Sequence, residues 1–226
     1  MKRHIITTAD GSKTIQIEDW DEQYHSIHGA MQESQHVFID KGLKHVQSNK
    51  TNNTIAILEI GFGTGLNAFL TAFEAEAQQL QIDYVGVEAY PVNLDEIKQL
   101  NYGNLVSEDY APVFDKLHQI SWENKHEITN YFSLEKQNKL FSEINDEYRF
   151  NLIYFDAFGA RVQPELWTES IFESMYKALK DGGVLVTYSA KGSVKRAMQA
   201  VGFTVERLEG PPGKRHMLRA IKVKNL

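Results

Sequence analysis

Between residues 54 and 203, short runs rich in β-branched and aromatic residues alternate with stretches whose apolar positions recur every three or four residues, and few folds accept that alternation. TIAILEI (54–60) is almost continuously apolar, as in a strand covered on both faces. Leu66, Phe69, Leu70, Phe73, Ala77 and Leu80 then form one stripe on a helix expected over 64–79. DYVGVEA (83–89) predicts a second strand, with Pro91 in the first turn of the next helix. HEITNYFSL (126–134) predicts a third strand, QNKLFSEI (137–144) a short helix, and FNLIYFDAF (150–158) a fourth strand. Residues 164–180 read as a helix stopped by a left-handed Gly182-Gly183 pair, GVLVTYS (183–189) as a fifth strand, and Ser193 as the cap of a helix reaching Gly202.

The expected fold is α/β: a Rossmann-like, mostly parallel sheet with helices on both faces. FTVERLEG (203–210) and HMLRAIKV (216–223) are joined only by PPGKR, too short for a crossover, so they form a C-terminal antiparallel strand pair. Ahead of this core, HIITT and KTIQI flank ADGS as a β-hairpin, and a helix follows over 33–46. The polar run at 48–53 marks a junction, dividing the chain into an N-terminal extension, 1–53, and a core, 54–226. Residues 101–125 read only as a helix and an irregular insertion.

A chain of 226 residues, 42% apolar, supports one hydrophobic core. It has no cysteine, no apolar run long enough to span a bilayer and no secretory start, which suits a cytoplasmic protein with no membrane partner. The eight histidines form no ligand pattern, so no metal is expected. The net charge of −6 argues against a nucleic-acid partner, but its distribution reverses the point. Residues 187–226 hold nine Lys or Arg against two Glu, a basic end on an acidic body.

The loop LEIGFGTGLNAF (58–69) follows the first core strand, where an open parallel sheet binds its ligand. Gly61, Gly63 and Gly65 let a ligand approach the backbone. Their G-x-G-x-G spacing is not the G-x-G-x-x-G of dinucleotide binding, and no Gly-Lys-Ser/Thr follows for a nucleotide phosphate. Glu88, at the end of the second strand, can accept both hydroxyls of a ribose, a feature common to NAD and S-adenosylmethionine proteins. The glycine spacing, an acid at Glu135 after the third strand and the antiparallel finish together resemble class I S-adenosylmethionine-dependent methyltransferases. Asp156 ends the fourth strand, beside a methyl donor in that layout. A carboxylate there can orient an amine and hold its proton, which points to a nitrogen acceptor.

Six blocks carry a closer resemblance: DEQYHSIHGAMQESQHVF (21–38), EIGFGTGLNAF (59–69), VEAYP (87–91), YFDAFGARVQPELWT (154–168), TYSAKGSVKRAMQAVGF (187–203) and GKRHML (213–218). They are similar to the methyltransferase domain of the bacterial tRNA 5-methylaminomethyl-2-thiouridine biosynthesis proteins, MnmC and its stand-alone form MnmD. The resemblance implies S-adenosylmethionine-dependent N-methylation of the aminomethyl group on a wobble uridine, with tRNA, through its anticodon stem-loop, as partner. The bifunctional members carry a second FAD-dependent domain that exposes the amine; with no second glycine fingerprint in this sequence, a separate enzyme is expected to supply it.

The cofactor surface implied by the loop and by motif position is Glu59, Gly61, Phe62, Gly63, Thr64, Gly65 and Asn67, with Glu88 and Ala89, Glu135 on the adenine side, and Asp156, Ala157 and Phe158. Asp156 matches the proposed catalytic acid. Tyr24, His25, Glu33 and Tyr188 are candidates for the acceptor pocket, and Lys191, Lys195, Arg196, Lys214 and Arg215 for phosphate contacts, Lys214 and Arg215 above all because a loop presents them outward. Trp167 reads as core. GARVQ at 159–163 and PPGKR at 211–215 depart from the bifunctional pattern on the expected tRNA side. Alternatives are a small-molecule methyltransferase or aminopropyltransferase of the same fold, or a non-catalytic S-adenosylmethionine-sensing or RNA-binding module.

Overall fold

The computed structural model describes residues 2–48 and 54–223. β1 (Arg3–Thr7) and β2 (Lys13–Ile17) form the expected hairpin, and the short β3 (Glu22–Gln23) pairs with β2. Asp10 shapes the turn, accepting hydrogen bonds from Thr8 Oγ1 at 2.7 Å and Ser12 N at 3.1 Å. The helix that follows begins at Ala30, three residues before the expected start. It runs through Ala30–Ser34, a π-helical Gln35–Leu43 and Lys44–Ser48. The earlier start has a tertiary cause: Ala30 N donates to Ser12 Oγ and Gln32 N to Asp10 Oδ2, so the hairpin turn supplies the missing cap. Of the proposed junction, 49–53 lies outside the described residues.

The core sheet is built from β4 (Thr54–Ile60), β5 (Gln81–Val87), β6 (Lys125–Glu127), β7 (Phe132–Gln137), β8 (Phe150–Phe155), β9 (Leu179–Thr187), β10 (Phe203–Glu209) and β11 (His216–Lys222). Their spatial order is β10-β11-β9-β8-β4-β5-β7-β6. β7, β5, β4, β8 and β9 run parallel, and β11 and β10 close one edge antiparallel, as the short PPGKR link requires. The opposite edge differs from expectation. HEITNYFSL is two strands, because Ile128 N and Thr129 N both turn back onto Phe132 O and leave β6 antiparallel to β7.

Two hydrophobic clusters cover the two faces. One collects the helices 30–48, Leu66–Gln78 and Ala111–Gln119; the other collects Glu169–Ala178 and Gly192–Ala200. Phe38 packs on Tyr154 at 5.0 Å, so the N-terminal helix shares the core cluster. In the helix Leu66–Gln78, Ala68, Ala72 and Ala75 are buried while Phe73 and Ala77 face outward, a stripe rotated toward the small residues.

Other boundaries moved for local reasons. Pro91 precedes its helix, which starts at Leu94 under an Asn93–Glu96 capping box. QNKLFSEI contributes only the 3₁₀ turn Phe141–Glu143, since Gln137 still belongs to β7. Residues 164–180 divide into the 3₁₀ turn Pro164–Trp167 and the helix Glu169–Ala178, and Gly182-Gly183 lies inside β9. Lys191, not Ser193, is the N-cap of Gly192–Ala200. Residues 101–125 hold the helices Tyr102–Val106 and Ala111–Gln119.

Candidate active site

A cavity of about 1100 Å³ lies over the carboxyl ends of β4, β5, β8 and β9, roofed by the N-terminal segment around Trp20–His28. Its position follows from sheet polarity, because every parallel strand ends on this side. The loop after β4 is tied to the end of β5 by two amides, Gly61 N and Phe62 N, which both donate to Val87 O at 3.0 Å. Gly61 holds φ +89°, and a Cβ there would stand 2.8 Å from the Asp156 carbonyl oxygen. That close approach brings the β4 loop and the β8 end into one wall.

Glu88, on the first position after β5, lines the cavity. Its Oε2 accepts from Gly63 N at 3.0 Å and its Oε1 from Tyr90 N at 2.9 Å. Burial raises its proton affinity, and the hydrogen bonds from Tyr90 and Gly63 hold it down. Each oxygen keeps a lone pair beyond its amide bond, the arrangement that two vicinal hydroxyls can use.

Asp156 sits at the cavity floor on the first position after β8. Asn67 Nδ2 bridges it to a deeper acid, 2.8 Å from Asp156 Oδ2 and 2.9 Å from Glu59 Oε1, while Ser34 Oγ donates to Asn67 Oδ1. Burial pushes Asp156 up to about 7; the charge of Glu33 adds to the rise, and the Asn67 hydrogen bond and Lys214 pull against it. The group is therefore poised to exchange a proton near neutrality.

Beneath the N-terminal roof, Glu33 Oε2 accepts from Ser26 N at 2.8 Å and its Oε1 holds the Lys214 ammonium. Lys214 Nζ also lies 4.1 Å from the centroid of the Tyr188 ring, whose hydroxyl donates to Ala157 O at 2.9 Å. Tyr24 packs edge-on to Phe158, with centroids 4.9 Å apart, and burial lifts its hydroxyl to about 12. His25 Nε2 pairs with Thr64 Oγ1 at 2.7 Å; burial pushes the ring down to about 4, so it stays neutral at pH 7.

The cavity brings together Gly61, Phe62, Gly63, Thr64, Asn67, Glu88, Ala89, Asp156, Ala157 and Phe158 from the expected cofactor surface, and Tyr24, His25, Glu33, Tyr188, Lys191 and Lys214 from the expected acceptor surface. Three cofactor candidates stand outside its lining. Glu59 is fully buried beneath Asn67, and Gly65 lies behind the loop against His118. Glu135 is two residues inside β7, engaged by Gln137 Nε2 and Arg149. The wall on that side is made instead by Tyr90, Leu140 and Phe141. Sequence reading missed them because 137–144 has helical periodicity; the aromatic beside Glu88 was the available signal.

Lys195, Arg196 and Arg215 lie outside the cavity, and Lys214 points inward to Glu33, against the expectation of an outward phosphate contact. Part of the basic end is structural: Arg219 pairs with Glu206, and Lys222 donates to Tyr176 O and Leu179 O. Trp167 is core, packed on Phe155 and Phe172 with Nε1 donating to Phe158 O at 2.8 Å. No helix among the described residues is long and apolar enough to cross a membrane.

Residues 98–223 match the model of a family described as S-adenosyl-L-methionine-dependent methyltransferase. The tRNA 5-methylaminomethyl-2-thiouridine biosynthesis bifunctional protein MnmC of Burkholderia thailandensis is 30% identical over 210 residues, covering 86% of this chain and 31% of that protein. The chain spans about a third of the length of the curated relatives it matches. Among solved structures, MNMC2 from Aquifex aeolicus aligns with a TM-score of 0.81 at 25% identity, covering 100% of this chain and 71% of that one. Spermidine synthase from Thermotoga maritima aligns at 0.56 with 15% identity over 98% of this chain and 73% of its own, a likeness of fold alone.

Proposed function

Because the chain belongs to the S-adenosyl-L-methionine-dependent methyltransferases, with the MnmC methyltransferase portion among its relatives, we propose that it N-methylates the aminomethyl group of 5-aminomethyl-2-thiouridine at the tRNA wobble position. The observation that carries this reading is the buried Asp156 carboxyl at the cavity floor, held by Asn67 and sharing the cavity with the Glu33 carboxylate.

The residues present fit the cofactor. Glu88 offers two carboxylate oxygens, each already oriented by a backbone amide, for the ribose hydroxyls. Tyr90, Leu140 and Phe141 supply an apolar wall for a purine, and Gly61 and Gly63 line the cavity, although the space beside each of the three loop glycines is taken by Asp156 O, Tyr24 and His118 rather than left open to a ligand. S-adenosylmethionine supplies, when bound, a sulfonium-activated methyl group.

The chain's part is alignment and proton handling. Glu33 attracts the incoming ammonium, and Asp156 accepts its proton and frees the nitrogen lone pair. Asn67, anchored by Ser34, keeps the Asp156 carboxylate from rotating away. Tyr24 and Phe158 form an aromatic wall suited to a uracil drawn out of the anticodon loop. The extension, 1–53, serves as the roof and the core, 54–226, as the cofactor platform. The aminomethyl group is supplied by a second catalytic activity.

The test is incubation with methyl-labelled S-adenosylmethionine and either tRNA bearing aminomethyl wobble uridines or polyamines, followed by nucleoside mass spectrometry. Methylaminomethyl-2-thiouridine is the expected product. Label confined to polyamine would replace this reading with a small-amine transferase.

A further inference from the structure

The cage around Lys214 has the chemistry of an amine receptor. Glu33 is buried at 7% exposure, with one carboxylate oxygen on Ser26 N and the other on Lys214 Nζ; the same ammonium lies over the Tyr188 face at 4.1 Å. A carboxylate and an aromatic face converging on one cation is how primary ammonium groups are bound. Glu33, Tyr188, Lys214 and Asp156 all line the same cavity, so this cation sits within the candidate active site.

The lysine comes from the β10–β11 link, 181 residues from Glu33. The link itself is pinned, with Lys214 N on Pro211 O at 2.9 Å and Gly210 N on Arg215 O at 3.2 Å. Withdrawal of the ammonium therefore needs only rotation of a flexible side chain. The neighbouring Arg215 is exposed, so a withdrawn Lys214 would join an outward basic pair.

We propose that Lys214 is an internal competitor for the acceptor's amine: its ammonium occupies the Glu33–Tyr188 seat, and a substrate enters productively only by displacing it. This deepens the amine-acceptor reading above and rests on it. The device selects substrates by size. A free nucleoside or small polyamine offers one ammonium in exchange for another and gains little. A tRNA offers phosphates that receive the displaced lysine, so the exchange is favourable. Apparent affinity for any amine falls by the fraction of protein in which the seat is taken.

The test compares wild type with Lys214→Met, which keeps the stem and removes the charge, using 5-aminomethyl-2-thiouridine nucleoside and the corresponding tRNA as acceptors. The expected result is opposite shifts: KM for the nucleoside falls about tenfold, while KM for tRNA rises several-fold. A purely structural role for Lys214 would impair both acceptors together, and that outcome, or an unchanged nucleoside KM, overturns the proposal. Should Lys214→Met not fold, reductive methylation of the wild-type protein read by mass spectrometry decides: Lys214 labelling rises several-fold with saturating nucleoside if the lysine is displaced, and an unchanged rate refutes it. Absence of wild-type transfer to tRNA would instead remove the acceptor reading itself.

Discussion

The Asn67 side-chain amide lies 2.8 Å from the Asp156 carboxylate, donated from the first helix after the glycine loop to the end of a strand 89 residues later. A hydrogen bond to the ionised form holds Asp156 below the value that burial alone would impose. In Asn67→Ala the acid limb of the kcat/KM profile should therefore move upward from near 7 by about one pH unit. A pH series of initial rates at low acceptor concentration measures it; a limb that stays in place removes Asp156 from the role of proton acceptor.

Asp156 carries a linked stability effect. Its folded-state value near 7 exceeds the ordinary 3.8, so the folded protein binds this proton more tightly than the unfolded chain. Its contribution is full below about 4 and is lost as pH rises through about 7. Asp156→Asn should thus melt several degrees higher than the parent at pH 8, with the difference vanishing near pH 4. The same variant should retain cofactor affinity and lose transfer by at least about 100-fold. Calorimetry and single-turnover rates read the two halves separately.

Glu88 orders two backbone amides as well as facing the cavity. Glu88→Ala strips Gly63 N and Tyr90 N of their acceptor, so S-adenosylmethionine affinity should fall about 10- to 100-fold, while Glu88→Gln should lose less. Titration calorimetry against S-adenosylhomocysteine gives the ranking; equal losses would mean that the amide bonds contribute nothing.

Gly61 has no room for a methyl group, because the obstacle is the Asp156 carbonyl and not a movable side chain. Together with its positive φ, that predicts a loss of about 2 kcal/mol or more for Gly61→Ala, measured by denaturant unfolding.

Lys195, Arg196 and Arg215 lie outside the cavity. If they meet tRNA phosphates, neutralising each should lower the salt slope of tRNA binding by about one and leave methylation of the free nucleoside unchanged. Unaltered slopes would assign the tRNA contact to another face.

The parallel sheet, its antiparallel finish, the glycine loop and the positions of Glu88 and Asp156 were legible in the sequence. Each depends on local periodicity, and sheet polarity then carries the end of every parallel strand to the same side. Glu135 was misplaced because the strand before it is a hairpin, and that hairpin turns on amides folding back to Phe132 O, which no apolar pattern reveals. The early helix start at Ala30 depends on caps lent by Ser12 and Asp10. Lys214 shows the difference most plainly. Its position in a loop between two strands favours exposure, and its inward turn is decided by Glu33, a buried carboxylate from the far end of the chain that needs a cation. Local propensity set the elements and their order, whereas the pairing of buried charges waited for distant segments to meet.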